Sequence, residues 1–442
     1  MARAAENPSG KLSEVFASDR ELDAAYDFVE RDQTSVKGLE EAVGKATARQ
    51  CVGAERVFIA VDGSSASVVD GTGQKGLGRI GADTAGAHGI KVINALAVDA
   101  DGATLGLLAQ TWWTRPKAPS RTAKQKQRER ARKETRQKET SHWLDTIERS
   151  ALRLDQVQRL GWFQLDREAD AWPILLALSD TGHWFTVRSS WNRVLEATGR
   201  DKQYLRAHMA ASPAVASYDL DVPGNAGRKA RNARMVMHAA EVTLRMRDKR
   251  TSTLHPLRVR VVWVHECGTT PRGEKPLNWM LLTNAPIHRV HDCQKVVLGY
   301  STRWRVEDFH KTWKSGACHV EDTQLRSRNA VIRWATILAV VAARIERLKH
   351  LARTDPERMA SEELTPIEIQ VLVAIKRETK KRTETLPEGT PTLAQAVRWL
   401  AEMGGYTGKS SGGPPGSITI GRGLERLRFA VKGALAVRRV GQ

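Results

Sequence analysis

Cysteine is scarce in this sequence, and so are long apolar runs. The four cysteines, Cys51, Cys267, Cys293 and Cys318, are scattered, with no C-x-x-C spacing that would indicate a zinc site or a redox pair. The longest apolar stretch, around 337–343, is too short to span a bilayer, and the first residues have no apolar core of a signal peptide. These absences predict a cytoplasmic protein with reduced cysteines.

Histidine spacings typical of zinc sites are missing as well. Four histidines lie between positions 288 and 319, and the segment 265–267 reads His-Glu-Cys. Neither group has the H-E-x-x-H or C-x-x-C spacing of zinc chemistry. We therefore expect oxygen-ligated Mg²⁺ or Mn²⁺, rather than zinc, where carboxylates converge.

Positive charge is abundant. The 442 residues include 70 Lys and Arg but 50 Asp and Glu, a formal net charge of +20. This excess indicates a polyanionic partner, because contacts to phosphates release counterions. Charge alone does not separate a DNA enzyme from an RNA-binding basic protein or a membrane-surface binder. The segment 117–138 holds ten basic and two acidic residues, which predicts either a loop ordered by DNA or a solubilising loop.

The apolar pattern predicts an α/β fold. Residues 11–50 have helical spacing, and three strands, a helix and a fourth strand follow before another helix. Asp62 ends the first predicted strand and Asp166 follows the fourth. The predicted strands are 56–62, 90–98, 104–112 and 162–165, with a hairpin turn at 99–102. This order is that of a ribonuclease-H-like core, a mixed sheet with helices.

Three domains are predicted. Residues 1–52 form a helical N-terminal region, and 53–328 form the catalytic core with a β-rich insertion at about 183–285. The insertion explains why Asp166 and Glu307 are far apart in sequence. Residues 329–442 form a helical C-terminal domain, with Thr365 as one helix cap.

A polar stripe stands out in the segment 300–314. On a single helix, at about 100° per residue, Tyr300, Arg303, Glu307 and Lys314 fall within an arc of about 60°. Such a face could hold a divalent metal through Glu307 while the cations bind phosphate oxygens and Tyr300 donates a hydroxyl hydrogen bond. The alternative is a solvated helix face with charge pairs.

Three acids are candidates for two-metal phosphodiester chemistry, which needs carboxylates that hold two cations about 3.5–4 Å apart. Asp62 and Asp166 end predicted strands, and Glu307 lies on the polar stripe. The segment 166–170 also contains Glu168 and Asp170, and residue chemistry alone does not choose among its three acids.

The Y-x2-R-x3-E-x6-K spacing resembles the signature of the bacterial cut-and-paste transposases of the insertion-sequence-four group, the Tn-five-like DDE transposases. Further motifs also resemble this family. They are Ala-Val-Asp62-Gly-Ser, Asp166-Arg-Glu-Ala-Asp170, the passage 108–116 and Glu139-Thr-Ser-His-Trp143. The resemblance covers most of the chain and selects Asp166 as the metal ligand.

This resemblance implies an enzyme that cuts the ends of a mobile element through a DNA hairpin and joins them to target DNA. It implies two Mg²⁺ or Mn²⁺ ions on Asp62, Asp166 and Glu307, and a homodimer that pairs two double-stranded DNA ends at the bacterial nucleoid. By the same resemblance, Trp279 binds a flipped base and Arg188 contacts a phosphate. Core packing for Trp279 and a surface charge for Arg188 are the alternatives.

Two departures from the family pattern bear on function. In the family, an N-terminal helix with the motif Leu-Gly-Asp-x-Arg-Arg recognises the element ends. This chain first matches the family pattern at 5–12, after the position of that helix, as if its N-terminus were shortened. A non-catalytic transposition inhibitor or DNA-binding regulator is therefore the alternative function. Near the C-terminus, the segment 420–424 has glycine and leucine where the family usually has tryptophan.

Overall fold

The structure is a computed structural model. It describes residues 4, 8–16, 18–31, 33–71, 73–81, 87–116, 122, 124, 125, 129, 132–196, 201–224, 229–248, 250–408 and 413–440. The chain forms two compact units. The first unit consists of Met1–Glu55, Gly63–Ala118 and Arg305–Gln442, and the second of Arg56–Asp62 and Pro119–Trp304.

The elements follow in chain order. The helices are α1 (Leu12–Val15), α2 (Asp19–Glu30), α3 (Val36–Cys51), α4 (Thr140–Asp155), α5 (Trp172–Asp180), α6 (Leu205–Ala211), α7 (Val290–Ser301), α8 (Trp304–Lys314), α9 (Arg328–Thr354), α10 (Pro366–Thr379), α11 (Leu393–Met403) and α12 (Ser417–Val440). The strands are β1 (Val57–Ser67), β2 (Gly78–Arg79), β3 (His88–Val98), β4 (Thr104–Trp113), β5 (Gly161–Leu165), β6 (Trp184–Arg188), β7 (Ala214–Val222), β8 (Arg231–Arg247), β9 (Leu254–Glu266) and β10 (Asn278–Thr283).

In the first unit, β3 and β4 form an antiparallel hairpin. The backbone amide of Asp99 donates to the Ala103 carbonyl over 2.9 Å, and Gly102 has a φ of 88°. Glycine adopts this left-handed conformation at little cost. The predicted strands and the turn between them are confirmed. Strand β1 lies beside β3, and the amide of Val68 donates to the His88 carbonyl over 3.2 Å.

Side-chain caps define several helix ends of the first unit. Ser18 and Ser35 accept from backbone amides at the starts of α2 and α3, and Ser327 does so at α9. Thr365 and Thr392 form capping boxes at α10 and α11. The helical spacing of residues 11–50 is therefore confirmed by α1, α2 and α3, and the predicted Thr365 cap is confirmed at α10.

The last helix crosses α11 at backbone contact. A Cβ atom on Gly423 would lie 1.7 Å from the Leu400 carbonyl oxygen, and one on Gly404 would lie 1.9 Å from the Thr419 carbonyl oxygen. A Cβ on Gly421 would lie 2.8 Å from the side chain of Ala317. These contacts give a physical reason for glycine in the segment 420–424, since a larger side chain at either position would separate the packed elements.

In the second unit the strand order is β1, β5, β6, β10, β9, β8, β7. Strands β1, β5 and β6 run parallel, whereas β10 and the strands beyond it pair antiparallel. Helix α7 packs against β5, β6, β9 and β10. This mixed sheet with helices confirms the α/β class, and the strand-rich character of the segment 183–285 is confirmed by β6 to β10.

Several predictions about elements need correction. The strand predicted to end at Asp62 continues to Ser67. The single helix predicted over 300–314 is two helices, α7 and α8, separated at Thr302 and Arg303. Near that junction the hydroxyl groups of Ser301 and Thr302 donate to the carbonyls of Leu298 and Gly299 over 2.6 and 2.7 Å. Such bonds compete with helical amides for carbonyl oxygens.

Two further predictions concern the basic segment and the domain boundaries. In the basic segment 117–138, residues 117–121, 123, 126–128, 130 and 131 lie outside the described residues, so its role stays a prediction. The domain boundaries at 52/53 and 328/329 also stay predictions. Across the described ranges, no helix combines the length and apolarity needed to cross a membrane.

Candidate active site

Two predicted acids and one predicted arginine share a position at one edge of the second unit's sheet. Val61 of β1 pairs with Leu165 of β5, and Leu165 pairs with Val187 of β6. Asp62, Asp166 and Arg188 are the next residues on these three parallel strands. Because neighbouring strands lie about 4.8 Å apart, the register brings the two carboxylates and the guanidinium to the same edge.

Asp62 has a cationic neighbour at this edge. Its Oδ2 lies 3.6 Å from Nη1 of Arg303, and both side chains are largely buried. Arg303 lies at the junction between α7 and α8, so the break in the predicted helix is also the place from which this guanidinium reaches Asp62. The pair brings the first acid and the second member of the Y-x2-R-x3-E-x6-K motif together in the second unit.

Tyr300 lies among the same charges. Its side chain is 7% exposed, and the Arg303 guanidinium lies 6.0 Å from the centre of its ring. Burial raises the pKa of Tyr300, and the two arginines oppose that shift while Asp166 adds to it. The tyrosine therefore stays protonated at neutral pH and can act as a hydroxyl donor. Burial also lowers the pKa of Arg188.

The three acids of the segment 166–170 differ in their surroundings. Asp166 is half-buried, and its Oδ1 accepts from the backbone amide of Glu168 over 2.7 Å. Glu168 is exposed. Asp170 is buried and forms an ion pair with Arg193, and it also accepts from the backbone amide of Ser190 over 2.6 Å. Asp170 therefore stabilises the loop after β6. Of the three acids, Asp166 is the one that lies at the sheet edge.

Glu307 and Lys314 lie in the first unit, both half-buried on α8 and two helical turns apart. Lys314 Nζ lies 3.7 Å from Oε1 of Glu321. The opposite side of α8 is fixed by burial of Phe309 and Trp313. Thr312, in the same helix, donates to Glu346 of α9. The predicted triad of Asp62, Asp166 and Glu307 stays a prediction, because the first two belong to the second unit and the third to the first.

Trp279, at the start of β10, lines a groove of 1230 Å³ in the second unit. Its ring is half-exposed, whereas the neighbouring Met280 is buried. Arg188 also lines this groove, and its Nη2 donates to the Asn278 carbonyl over 2.7 Å. A half-exposed indole on a groove wall has a free surface for a ligand, and its predicted contact with a flipped base stays a prediction.

Several residues of this region were not singled out from the sequence. Arg206 and Lys275 line the groove, but they lie in segments without a motif. Trp304 directly follows Arg303 of the motif, and the Arg303 guanidinium lies 5.4 Å from the centre of its ring. That adjacency was a usable signal. Arg193 could be recognised only through its contact with Asp170.

Metal ligation was also predicted for this region. Within the described residues, no group of three or more His, Cys, Asp or Glu side chains forms a cluster that could hold a metal ion. His238 and His265 do approach each other, with 3.3 Å between their Nε2 atoms, and His265 stacks on Trp263. The carboxylates at the sheet edge supply the oxygen donors that Mg²⁺ prefers.

Comparison with known families gives a match at the C-terminus. Residues 340–441 match the family model described as the Transposase Tn5 dimerisation domain. The matched segment begins within α9 and includes α10, α11 and α12. It is similar to the part of a transposase that joins two protomers. The match supports a Tn5-like transposase and the formation of a homodimer.

Proposed function

We propose that this chain is a DDE transposase of the insertion-sequence-four group, which cuts element ends and joins them to target DNA. The observation that carries the proposal is the shared register of Asp62 and Asp166 at the end of parallel strands, with Arg188, Tyr300 and Arg303 around them. The C-terminal match to a transposase dimerisation domain supports the same class.

The strand pairings support a ribonuclease-H-like core. In the first unit β4 pairs with β3, and in the second unit β1, β5 and β6 run parallel. The two acids occupy the carboxyl ends of β5 and of the paired part of β1. Ligand sites of open α/β sheets commonly lie at such ends.

The residues present fit Mg²⁺ or Mn²⁺. Asp62 and Asp166 offer the hard oxygen donors that these ions prefer. We assign two ions to Asp62, Asp166 and Glu307. When bound, the ions would activate the attacking oxygen and stabilise the leaving oxygen of a phosphodiester.

The surrounding side chains would orient the DNA. Arg188, Arg303 and Lys314 supply positive charge to phosphate oxygens, and the protonated Tyr300 donates a hydrogen bond. Hydrolysis would break one phosphodiester at the element end and free a 3′-hydroxyl. That hydroxyl would attack the phosphorus of the opposite strand and displace the 3′-oxygen of the flanking DNA, which gives a hairpin that water reopens before joining. Trp279 would stack on the base that leaves the helix at the hairpin.

The partners follow from this reaction. Two protomers would hold two double-stranded DNA ends in one paired complex, and the target duplex would bind the same positively charged protein. We propose a nucleoid-associated location for the same reason, because a net charge of +20 favours association with DNA.

The test uses end-labelled linear DNA with candidate terminal repeats, in Mg²⁺. We expect wild type to nick it, and we expect Asp62→Asn, Asp166→Asn and Glu307→Gln each to bind DNA without nicking. Glu168→Gln is the matched control, since it removes an exposed acid two residues from Asp166. Wild type that binds but never nicks would make the chain a non-catalytic regulator. Normal nicking by Glu307→Gln would remove that residue from the triad.

A further inference from the structure

The groove beside Trp279 has a strongly uneven charge. Four cationic side chains line it, against a single acid, Asp221. In the described part of the chain, none of the four forms a salt bridge. Other arginines of the same unit are paired, such as Arg193 with Asp170 and Arg234 with Asp219. The four cations are Arg167, Arg188, Arg206 and Lys275. Cations gathered without carboxylate partners indicate an anionic ligand.

Two of the tryptophans that line the groove lie on opposite faces of the sheet. In the register of β9 and β10, Trp279 pairs with Val264, and Met280 pairs with Trp263. Because successive strand residues point to opposite faces, Trp263 and Trp279 lie on opposite faces, although both line the groove. One flat base cannot stack on both rings. A ligand that uses both needs at least two aromatic groups joined by a linker that passes around the start of β10.

The second ring is held in place before any ligand binds. Trp263 stacks on His265 with 4.2 Å between ring centres, and its Nε1 donates to Oδ1 of Asn278 over 3.2 Å. The groove volume of 1230 Å³ exceeds the range of about 300–1,000 Å³ that is usual for single small ligands. Size and aromatic placement therefore favour a chain of nucleotides over one nucleotide.

The walls that carry Arg206 and Lys275 are also fixed. Glu266 accepts from the Leu277 amide over 2.9 Å and from Arg231 over 2.7 Å, and Arg231 also contacts Glu274 at 3.0 Å. This network anchors the loop on both sides of Lys275. On the other wall, Arg206 donates to the Ser190 carbonyl over 3.3 Å. Exposed cations on rigid walls lose little conformational freedom when they bind phosphate.

We infer that this groove binds an unpaired DNA strand of two or more nucleotides. Arg206 and Lys275 contact its phosphates, and Trp263 supplies a second stacking surface beyond Trp279. The inference rests on the proposed function, from which it takes DNA as the ligand. It adds a binding site for a DNA strand beyond the carboxylates of Asp62 and Asp166. Unpaired strands suit such a site because every base has a face that stacks, and positive charge follows the backbone.

The experiment measures binding of a labelled single-stranded oligonucleotide, and of its duplex, to the full chain in EDTA. We expect Arg206→Ala/Lys275→Ala to raise the Kd for the single strand about tenfold and to affect the duplex much less. The matched control is Arg245→Ala/Arg247→Ala. It also removes two positive charges, from exposed positions at the C-terminal end of β8 that do not line the groove. Trp263→Ala should also raise the single-strand Kd about tenfold, and Trp263→Phe should restore most of the affinity.

The outcomes separate this inference from the proposed function. Equal losses in the groove variant and the control variant, or equal losses for single strand and duplex, would overturn the inference, even if wild type nicks DNA. Selective loss in the groove variant would support the strand site, even if wild type never nicks. Nicking by wild type is measured in parallel in Mg²⁺, so the two results are read independently.

Discussion

At the residue scale, Asp170 organises the loop that follows β6. It accepts from the amides of Ser190 and Trp191 over 2.6 and 3.1 Å, and its Oδ1 accepts from both Nε and Nη2 of Arg193. The carboxylate is buried, so these bonds replace its hydration. The loop begins beside Arg188, which means that a buried acid fixes one side of the candidate active site.

We expect Asp170→Asn to lower the free energy of unfolding by about 3–5 kcal/mol, since breaking a buried ion pair leaves Arg193 without its counter-charge. Urea denaturation followed by circular dichroism measures this change. Glu168→Gln, at an exposed position, should change stability by less than about 0.5 kcal/mol. A small effect of Asp170→Asn would mean that the pair contributes little and that the loop is held by other contacts.

The sequence could not sort these acids by chemistry. Three carboxylates in five residues are equivalent until burial and register separate them. Asp62 and Asp166 were recognisable because each follows an apolar run that forms a buried strand. The partners of Asp170 and the position of Arg303 beside Asp62 depend on contacts between distant segments, which local patterns do not encode.

At the element scale, the helix that carries Glu307 is tied to the C-terminal helices of the first unit. Glu346 of α9 is buried, and it accepts from Thr312 of α8 and, over 2.7 Å, from Ser417 of α12. Lys349 Nζ lies 2.5 Å from its other oxygen. Because Glu346 and Ser417 lie within the segment that matches the dimerisation domain, changes in α12 packing can reach α8 through this carboxylate.

The crossing of α11 and α12 gives a prediction about stability and dimer formation. A methyl group at Gly423 would meet the Leu400 carbonyl oxygen at 1.7 Å, so Gly423→Ala must separate the helices. We expect a loss of about 3 kcal/mol and weaker self-association, because overpacking of tight contacts typically costs about 1–3 kcal/mol. Thermal denaturation and sedimentation velocity measure the two effects.

Gly433→Ala is the control for that substitution. It lies on the same helix, and an added Cβ would meet nothing within 4 Å. Replacing glycine by alanine in a helix should stabilise it by up to about 1 kcal/mol. Equal behaviour of the two variants would show that the crossing tolerates a methyl group.

Elements with a strong apolar period were predictable, whereas others were not. Nearly all residues of strands β3 and β5 are buried, and their apolar runs predicted both strands. Helix α12 contains Gly421, Gly423 and Gly433, which lower helix propensity, so packing against α11 rather than local preference accounts for it. The junction at Thr302 and Arg303 was missed because the helical spacing of polar residues continues through it.

At the scale of the whole molecule, the net charge of +20 and the C-terminal match point to DNA and to a second protomer. Composition was enough to predict a polyanionic binding partner, since phosphate contacts dominate affinity for DNA. It could not supply the position of binding, because many of the described cations are paired with neighbouring acids, as Arg231 is with Glu266 and Glu274. A binding surface for DNA is formed by those cations that do not form such ion pairs.

Dimer formation also predicts how inactive protomers affect the reaction. If each DNA end is cut by one protomer of a homodimer, mixing wild type with Asp62→Asn before DNA is added produces random pairs. Complexes cut at both ends should then fall as the square of the wild-type fraction, to about one quarter in an equal mixture. Gel analysis of a two-ended DNA substrate separates singly from doubly cut products. An equal mixture with Glu168→Gln should cut both ends at the wild-type level. A fall only to about three quarters in the equal mixture would mean that one active protomer can cut both ends, so the dimer would serve only to hold them together.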